Sequence, residues 1–217
     1  MPSDVQSLLV ETIATIASHA STPELRNQYF TSLSNSIEVY VFISYSNSKS
    51  RLSSLLTRAD FMAIYKQQSF MEKVVDVLEM YDGLCMAADE SNSAPVFEAC
   101  SKHFASFVKL LDMYHNFPEF ELYILQIFSH LAAHLVCFLS IVYNTIQSFE
   151  GLSPTQRELF YSNITNLLTI YAKNESSRSR VASKENEEEL FEDLSCILSM
   201  LANLMTGEYE GLGALYA

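Results

Sequence analysis

The chain has 217 residues, of which 49% are hydrophobic and 18% charged, a composition typical of a globular protein rather than a disordered one. Its 13 Lys and Arg against 26 Asp and Glu leave a formal net charge of −13, which repels phosphate backbones and anionic membrane surfaces and argues against nucleic-acid binding. Five glycines and five prolines are too few for a turn-rich β architecture or a glycine-rich phosphate loop, so long helices are expected.

Hydrophobic periodicity predicts a first helix that ends at about His19. A second helix is predicted to begin with Thr22 as the N-cap and Pro23 at the first helical position, and to continue to about Ser46. Both helices carry an apolar stripe and a polar face. We therefore expect each to pack one face against the rest of the protein.

A polar connection follows over residues 46–50, and a short helical turn is expected around 51–56. A long helix is then predicted over about 61–88. The next helix is predicted from Pro95, again at a helix start, to about Tyr114. The short connections between these segments predict antiparallel neighbours.

The most apolar stretch of the chain is Leu122–Phe149, which overlaps a helix predicted over about 119–147. It has no formal charge and is long enough to span a bilayer. Polar residues such as Gln126 and Asn144 interrupt it, however, and its flanks are acidic rather than basic. A central helix covered by neighbours on several sides has a similar composition. We expect a buried helix without membrane insertion, with a membrane span as the alternative.

The clearest helix start in the chain is Ser153-Pro154 with Gln156, which combine an N-cap, a first-turn proline and the partner residue of a capping box. This helix is predicted to reach about Lys173. A charged loop is expected to follow over residues 174–184.

The last helix is predicted over Glu185 to about Met205, with acidic residues near its N-terminal, positive dipole end and Gly207 as its C-cap. Nothing in the composition marks a linker that would divide the chain. We therefore predict a single helical unit over residues 1–206 and a C-terminal tail over 207–217.

The order of these elements leaves two architectures open, a closed helical bundle and a stacked solenoid. Helix pairs succeed one another at about 5–46, 61–116 and 119–173, and the last helix begins a further pair. This succession favours an all-α fold, namely an α-solenoid of stacked antiparallel HEAT-like helix pairs that form a superhelix. The repeat spacing is looser than in ideal HEAT repeats, and no repeated sequence motif is evident.

One candidate metal site lies within the apolar stretch. His130 and His134 are four residues apart and Cys137 lies one turn further, so all three could face a zinc ion. Leu131 occupies the position at which H-E-x-x-H metalloproteases carry their general base, and no carboxylate supplies a third ligand nearby. The favoured interpretation is a pair of buried histidines that bond to backbone carbonyls or face a partner helix.

Other catalytic signals are lacking in the sequence. It contains no G-x-S-x-G, P-loop or G-x-G-x-x-G motif, and its paired carboxylates lie at predicted helix ends, where they complement helix dipoles. We therefore predict that the protein is not an enzyme. We assign it no catalytic, cofactor-binding or metal-binding residue and no cofactor.

The four cysteines, at positions 85, 100, 137 and 196, are widely spaced in apolar surroundings and form no C-x-x-C pair. They are predicted to be buried free thiols of a reducing compartment. Residues 1–4 carry no basic segment followed by an apolar run, so no secretory signal is expected.

The predicted loop before the last helix brings opposite charges together. Arg178, Arg180 and Lys184 directly precede the acidic run Glu185–Glu189, with Asn186 as its one uncharged member. Contact with a partner and a solvated loop without a ligand are both consistent with this pattern.

Two groups of segments occur together in an order that resembles a known family. They are Val77–Ala88, Phe107–Tyr114 and Pro118-Glu119 in the first group, and Leu167–Asn174, Arg178, Arg180 and Leu198–Leu204 in the second. Over about residues 70–206 the chain resembles the interior of the exportin-4 family of nuclear transport receptors, within the importin-β or karyopherin superfamily.

The resemblance implies a HEAT-repeat superhelix that binds Ran-GTP together with protein cargo and passes the phenylalanine-glycine nucleoporins of the nuclear pore. It implies nuclear export, shuttling between nucleus and cytoplasm, and a hypusine-bearing translation factor among the family's cargoes. Such receptors are several times longer than this chain, so the resemblance is to a portion of one. The alternative function is a helical-repeat scaffold for protein–protein interaction without a role in transport.

Overall fold

The computed structural model describes residues 3–42, 61–89, 92–136, 153–178 and 184–215. Within these ranges every regular element is an α-helix, which confirms the all-α prediction. The helices are α1 (Ser3–Ser18), α2 (Pro23–Phe42), α3 (Phe61–Ile64), α4 (Gln68–Met86), α5 (Ser93–Ser101), α6 (Phe104–Met113), α7 (Pro118–Val136), α8 (Pro154–Ser177) and α9 (Lys184–Leu215).

Two predicted helix starts are confirmed by their capping bonds. The backbone N–H of Leu25 donates to Oγ1 of Thr22 at 3.3 Å, so Thr22 caps α2. At α8 the Ser153 hydroxyl accepts from the Gln156 backbone at 3.3 Å, and the Gln156 side chain accepts from the Ser153 backbone at 2.8 Å. Both bonds of a capping box are therefore present. The predicted turn around 51–56 lies outside the described residues.

The helix predicted over 61–88 is divided in two. A turn over 65–67 separates α3 from α4, and the Tyr114 hydroxyl donates to the Tyr65 backbone carbonyl at 2.6 Å. This bond satisfies a carbonyl that a continuous helix would have paired internally. The residues at the break include no glycine or proline, so no local signal marked it.

The helix predicted from Pro95 to Tyr114 is likewise divided, into α5 and α6, at Lys102-His103. The break allows Phe97 and Phe104 to approach each other and a common neighbour, Phe160 of α8. Their ring centroids lie 5.7 Å apart, and each lies 6.2 Å or less from that of Phe160. The apolar spacing alone is compatible with one straight helix, so the break depends on this tertiary packing.

Two predicted boundaries near the C-terminal end are wrong. The helix α8 continues to Ser177, four residues beyond the predicted end at Lys173. The helix α9 continues through Gly207 to Leu215, so Gly207 does not cap it. A glycine inside a helix costs about 1 kcal/mol relative to alanine, which is a weak signal that neighbouring residues can override.

The helices form two rows that enclose the core between them. In the first row α1 packs against α4, α4 against α7, and α7 against α9. In the second row α2 packs against α5, and α6 packs against α8. Contacts of α2 with α4, and of α5 and α6 with α7, join the rows. Large aromatic side chains fill the space between them, including Phe97, Phe104, Phe107, Phe120, Phe128 and Phe160, all fully buried.

One neighbouring pair of helices in each row runs in the same direction. Between α4 and α7, Glu79 bonds to Tyr123 and Asp82 to His130, so the contacts advance together along both helices. In the second row Phe160 of α8 packs on Phe104 at the start of α6, while Lys173 and Asn174 reach Asp112 and Leu111 near its end. Each row therefore contains a pair of parallel helices. The chain connects α4 to α7 through α5 and α6 of the second row, and α6 to α8 through α7 of the first.

Candidate functional site

The outer face of α9 carries a continuous line of exposed apolar side chains. They recur at intervals of three or four residues and so follow one face of the helix. This set, here called the α9 stripe, consists of Phe191, Leu194, Leu198, Leu201 and Met205. Phe191 and Leu198 are 73% and 65% exposed, whereas Met200 and Leu204, on the opposite face, are buried. The stripe is therefore separate from the face that packs on α7.

The N-terminal end of the α9 stripe is acidic. Glu187 lies one turn before Phe191 on the same line, and Glu188 and Glu192 lie beside it. These four residues line a shallow depression of about 320 Å³. Apolar surface and negative charge thus adjoin on one exposed face, a combination suited to protein contact.

The opposite end of the first row also exposes apolar surface. On α1 the exposed apolar side chains are Val5, Leu8, Leu9, Ile13 and Ile16. A groove of about 730 Å³ lies between α1 and α2, and its apolar lining includes Ile13, Ile16, Leu25 and Tyr29. Within the part of the chain that the structure describes, no Lys, Arg, Asp or Glu lines this groove, so its recognition chemistry differs from that of the α9 stripe.

A partly buried ionic cluster joins α7 and the end of α8. Nη2 of Arg178 lies 2.7 Å from each carboxylate oxygen of Glu121, which is 1% exposed, and Nη1 lies 2.8 Å from Glu175. Burial lowers the Arg178 pKa, but the hydrogen bond and charge of Glu121 outweigh it, so the pKa is raised. The guanidinium stays charged. Arg178 directly follows α8, at the start of the predicted charged loop, but its side chain packs against α7 instead of being solvated.

Further polar contacts tie α8 to its neighbours. The Tyr171 hydroxyl donates to Asp193 of α9 at 3.1 Å, and burial, followed by the charge of Asp193, raises the Tyr171 pKa. The buried Asn174 side chain donates to the Leu111 carbonyl at 3.5 Å, near the C-terminal end of α6. This carbonyl has no intrahelical partner in a terminal turn, so Asn174 satisfies it.

The candidate zinc site, which the sequence did not favour, is not assembled among the described residues. His130 Nδ1 lies 2.9 Å from Oδ1 of Asp82, which gives the ring a partner on α4. Burial, reinforced by His130 and opposed by Asp89, lowers the His134 pKa. Cys137 lies outside the described residues, and within them no three His, Cys, Asp or Glu side chains are grouped to hold a metal ion. His130 therefore faces a partner helix, but it bonds a carboxylate rather than a backbone carbonyl.

The cysteines agree with the buried-thiol prediction in part. Cys85 and Cys100 are free and buried, with 3.5 Å between their sulfur atoms, and burial raises the Cys85 pKa above its ordinary value. A raised pKa disfavours the reactive thiolate. Cys196 is free and half-buried.

The described part of the apolar stretch is buried by neighbouring helices. In α7 the side chains of Ile124, Leu125, Ile127, Phe128 and Leu131 are buried between α4, α6 and α9, which confirms the buried-helix prediction up to this point. None of the helices in the described ranges is long and apolar enough to cross a membrane. The remainder of the stretch, from residue 137 onward, lies outside the described residues.

No protein-family model matches the sequence.

The candidate surfaces were only partly visible in the sequence. Leu194, Leu198 and Leu201 recur at helical spacing in the last helix, but the spacing alone does not tell whether their line faces inward or outward. The available signal was that α9 is apolar on two faces, since Leu190, Ile197 and Leu204 form a second line. Which line packs inward depends on the neighbour, α7.

Proposed function

We propose that this chain is a helical-repeat segment of a nuclear export receptor, a non-enzymatic scaffold that binds protein cargo and Ran-GTP and shuttles between nucleus and cytoplasm. The observation that carries the scaffold part is the parallel direction of one neighbouring pair in each row, α4 with α7 and α6 with α8. The transport part rests on the resemblance to the exportin-4 family. In this proposal cargo and nucleoporins are bound by the full receptor of which the chain is a part.

Parallel neighbours favour a solenoid over a closed bundle. In an up-and-down bundle, adjacent helices run antiparallel around one core. In a repeat array each unit contains a helix and its return helix, so equivalent helices of successive units run parallel. The contacts Glu79–Tyr123 and Asp82–His130 in one row, and Phe104–Phe160 and Asp112–Lys173 in the other, fit the second arrangement.

The exposed end helices support the same proposal. The inner helices α4 and α7 have neighbours on both sides within their row, whereas α1 and α9 have exposed apolar outer faces. In a repeat array each unit buries its faces against the units before and after it, so terminal faces need a further unit or a partner. Such an array offers the large surface that recognition of a folded cargo requires.

The residues that carry the family resemblance have structural roles here. The Asn174 side chain donates a hydrogen bond to the Leu111 carbonyl of α6, and Arg178 pairs with Glu121 of α7. Both contacts hold α8 against its neighbours. Their match to the family pattern therefore supports a shared repeat architecture. The net charge of −13 suits basic cargo, with binding that weakens as salt screens the charges.

The test is a GTP-dependent complex. The protein is tagged at its own gene and isolated from cells, and the isolate is incubated with Ran loaded with a non-hydrolysable GTP analogue or with GDP. We expect GTP-loaded Ran and cargo to be retained together, each increasing the retention of the other because binding linkage is reciprocal. Retention that does not depend on the nucleotide would refute the transport proposal and favour the scaffold without a role in transport.

A further inference from the structure

We propose that the α9 stripe is a docking site for an amphipathic helix with a basic end, whose apolar side chains cover Leu194, Leu198 and Leu201 and whose Lys or Arg residues lie over Glu187 and Glu192. This inference deepens the proposed function by naming a class of partner, and it rests on the scaffold part alone.

The spacing of the stripe defines the shape of the partner. Side chains at intervals of three, four, three and four residues from Phe191 to Met205 form a straight apolar ridge. A second helix packs on such a ridge through its own i, i+3, i+4 and i+7 positions, as in helix-in-groove recognition. The stripe extends over about four helical turns, about 20 Å, which matches a partner helix of ordinary length.

The acidic residues beside the α9 stripe indicate the charge of the partner helix. Glu187 lies one turn before the N-terminal end of the α9 stripe, and Glu192 is exposed beside Phe191. A partner helix that covers the stripe therefore also reaches these carboxylates. Lys or Arg at this end of the partner gains attraction, whereas Asp or Glu is repelled. Electrostatic complementarity of this kind also selects the direction in which the partner helix lies.

A second copy of the chain is a poor occupant of the stripe. The α9 sequence contains one basic residue, Lys184, at its first position, and acidic residues near both ends, including Glu187 and Glu210. Pairing of two α9 helices in either direction therefore brings carboxylates together. The other apolar end, α1, contains Glu11 and no Lys or Arg, so it offers no positive charge either. Each copy also carries a net charge of −13.

The test uses two synthetic helical peptides of about 20 residues each, with leucines at the spacing of the stripe. One peptide has Lys and Arg around its apolar face at one end, and the other has Glu at the same positions. Binding of each labelled peptide to the complete 217-residue chain is measured by fluorescence anisotropy. We expect the basic peptide to bind at least about tenfold more tightly than the acidic one, with an advantage that decreases as salt increases.

Two pairs of variants at exposed residues locate the site, each with its own matched control. Leu198→Asp should weaken binding of the basic peptide at least about tenfold, whereas Ile16→Asp, at an equally exposed position on α1, should leave it unchanged. Glu187→Lys/Glu192→Lys should reverse the preference between the peptides. The matched double variant Glu24→Lys/Glu72→Lys, with the same net charge, should preserve it. Circular dichroism confirms that each variant is folded.

Three results would overturn the proposal. They are equal binding of the two peptides, a preference that survives the Glu187→Lys/Glu192→Lys change, and a concentration-dependent dimer that Leu198→Asp dissociates. The last result would assign the stripe to a second copy of the chain. None of them affects the Ran-dependent complex, so this proposal and the transport proposal fail separately.

Discussion

The middle and the ends of the two helix rows use similar side chains in opposite ways. In the middle, α4 and α7 bury aromatic and aliphatic residues on several faces and give the buried carboxylates of Glu79, Asp82 and Glu121 partners on neighbouring helices. At the ends, α1 and α9 expose residues as apolar as those of the core. The difference is in the number of neighbours rather than in composition.

This comparison shows where stability and recognition are expected to lie. A buried apolar side chain contributes about 1.5 to 3 kcal/mol relative to an exposed one. The helices in the middle of the two rows therefore supply most of the folding free energy. An exposed apolar face contributes little to the folding free energy. When a partner covers it, removal of its apolar surface from water favours binding. The end helices are therefore the favoured binding elements, and substitutions can separate the two roles.

The largest expected difference is between two phenylalanines. Phe104→Ala removes a ring that packs against Phe97, Phe128 and Phe160 in the core and should lower the free energy of unfolding by about 3 to 5 kcal/mol. Phe191→Ala, on the α9 stripe, should change it by less than about 0.5 kcal/mol. Urea denaturation of both variants measures this. Comparable losses would mean that α9 is covered on its outer face in solution.

The next largest effect concerns the ion pairs. Arg178→Met removes the guanidinium from the buried carboxylate of Glu121 and should cost about 3 kcal/mol. Lys173 lies five residues before Arg178 and forms an exposed pair with Asp112. Lys173→Met should lower the free energy of unfolding by less than about 1 kcal/mol.

The double variant Arg178→Met/Glu121→Leu is the control for burial of an uncompensated charge. It should recover at least half of the loss, because the buried carboxylate that loses its guanidinium is then removed as well. If Arg178→Met is as mild as Lys173→Met, water reaches Glu121 and the cluster belongs to the surface.

A smaller effect is expected where an end helix meets the middle. A Cβ at Gly83 of α4 would lie 2.3 Å from the backbone oxygen of Ser7 in α1, which is closer than atoms can approach. Gly83→Ala should therefore cost about 1 to 3 kcal/mol, although alanine ordinarily stabilises a helix relative to glycine.

Hydrogen exchange locates the effect of Gly83→Ala. Amides of α1 should lose protection, while those of α7 keep it. Met86→Ala, at an exposed position one turn further along α4, is the matched control and should leave α1 protected. A stabilised Gly83→Ala variant would show that α1 does not pack closely here.

The smallest effect is a pH dependence. Burial lowers the pKa of His134 in the folded protein, so the unfolded chain binds a proton first as the pH falls. The contribution of His134 to stability is thus fully present above its unfolded pKa of about 6.5 and is lost as the pH falls toward the folded pKa. The groups facing it are His130 and Asp89.

The measurement compares urea denaturation at about pH 7.5 and about pH 5.5. His134→Asn should lose less stability between the two pH values than the unsubstituted protein does. His19→Asn, at an exposed position directly after α1, is the matched histidine substitution and is measured in parallel. An unchanged loss in His134→Asn would assign the pH dependence to other groups.

Local signals predicted the helices where a capping residue or proline was present. Thr22 with Pro23, and Ser153 with Pro154 and Gln156, mark helix starts that the structure confirms. The breaks at residues 65–67 and at Lys102-His103 have no such signal, because they depend on contacts with Tyr114 and Phe160 that are distant in sequence. The buried partner of Arg178 was equally hidden, since Glu121 lies on another helix.

The sequence by itself determined that the protein is helical and acidic, because periodicity, caps and net charge are properties of neighbouring residues and of composition. The tertiary structure alone decided which of the two apolar lines of α9 is buried, which charges pair in the core, and which helices run parallel. These properties depend on neighbours brought together by folding, and the exposed face of α9 is what remains when α7 covers the other.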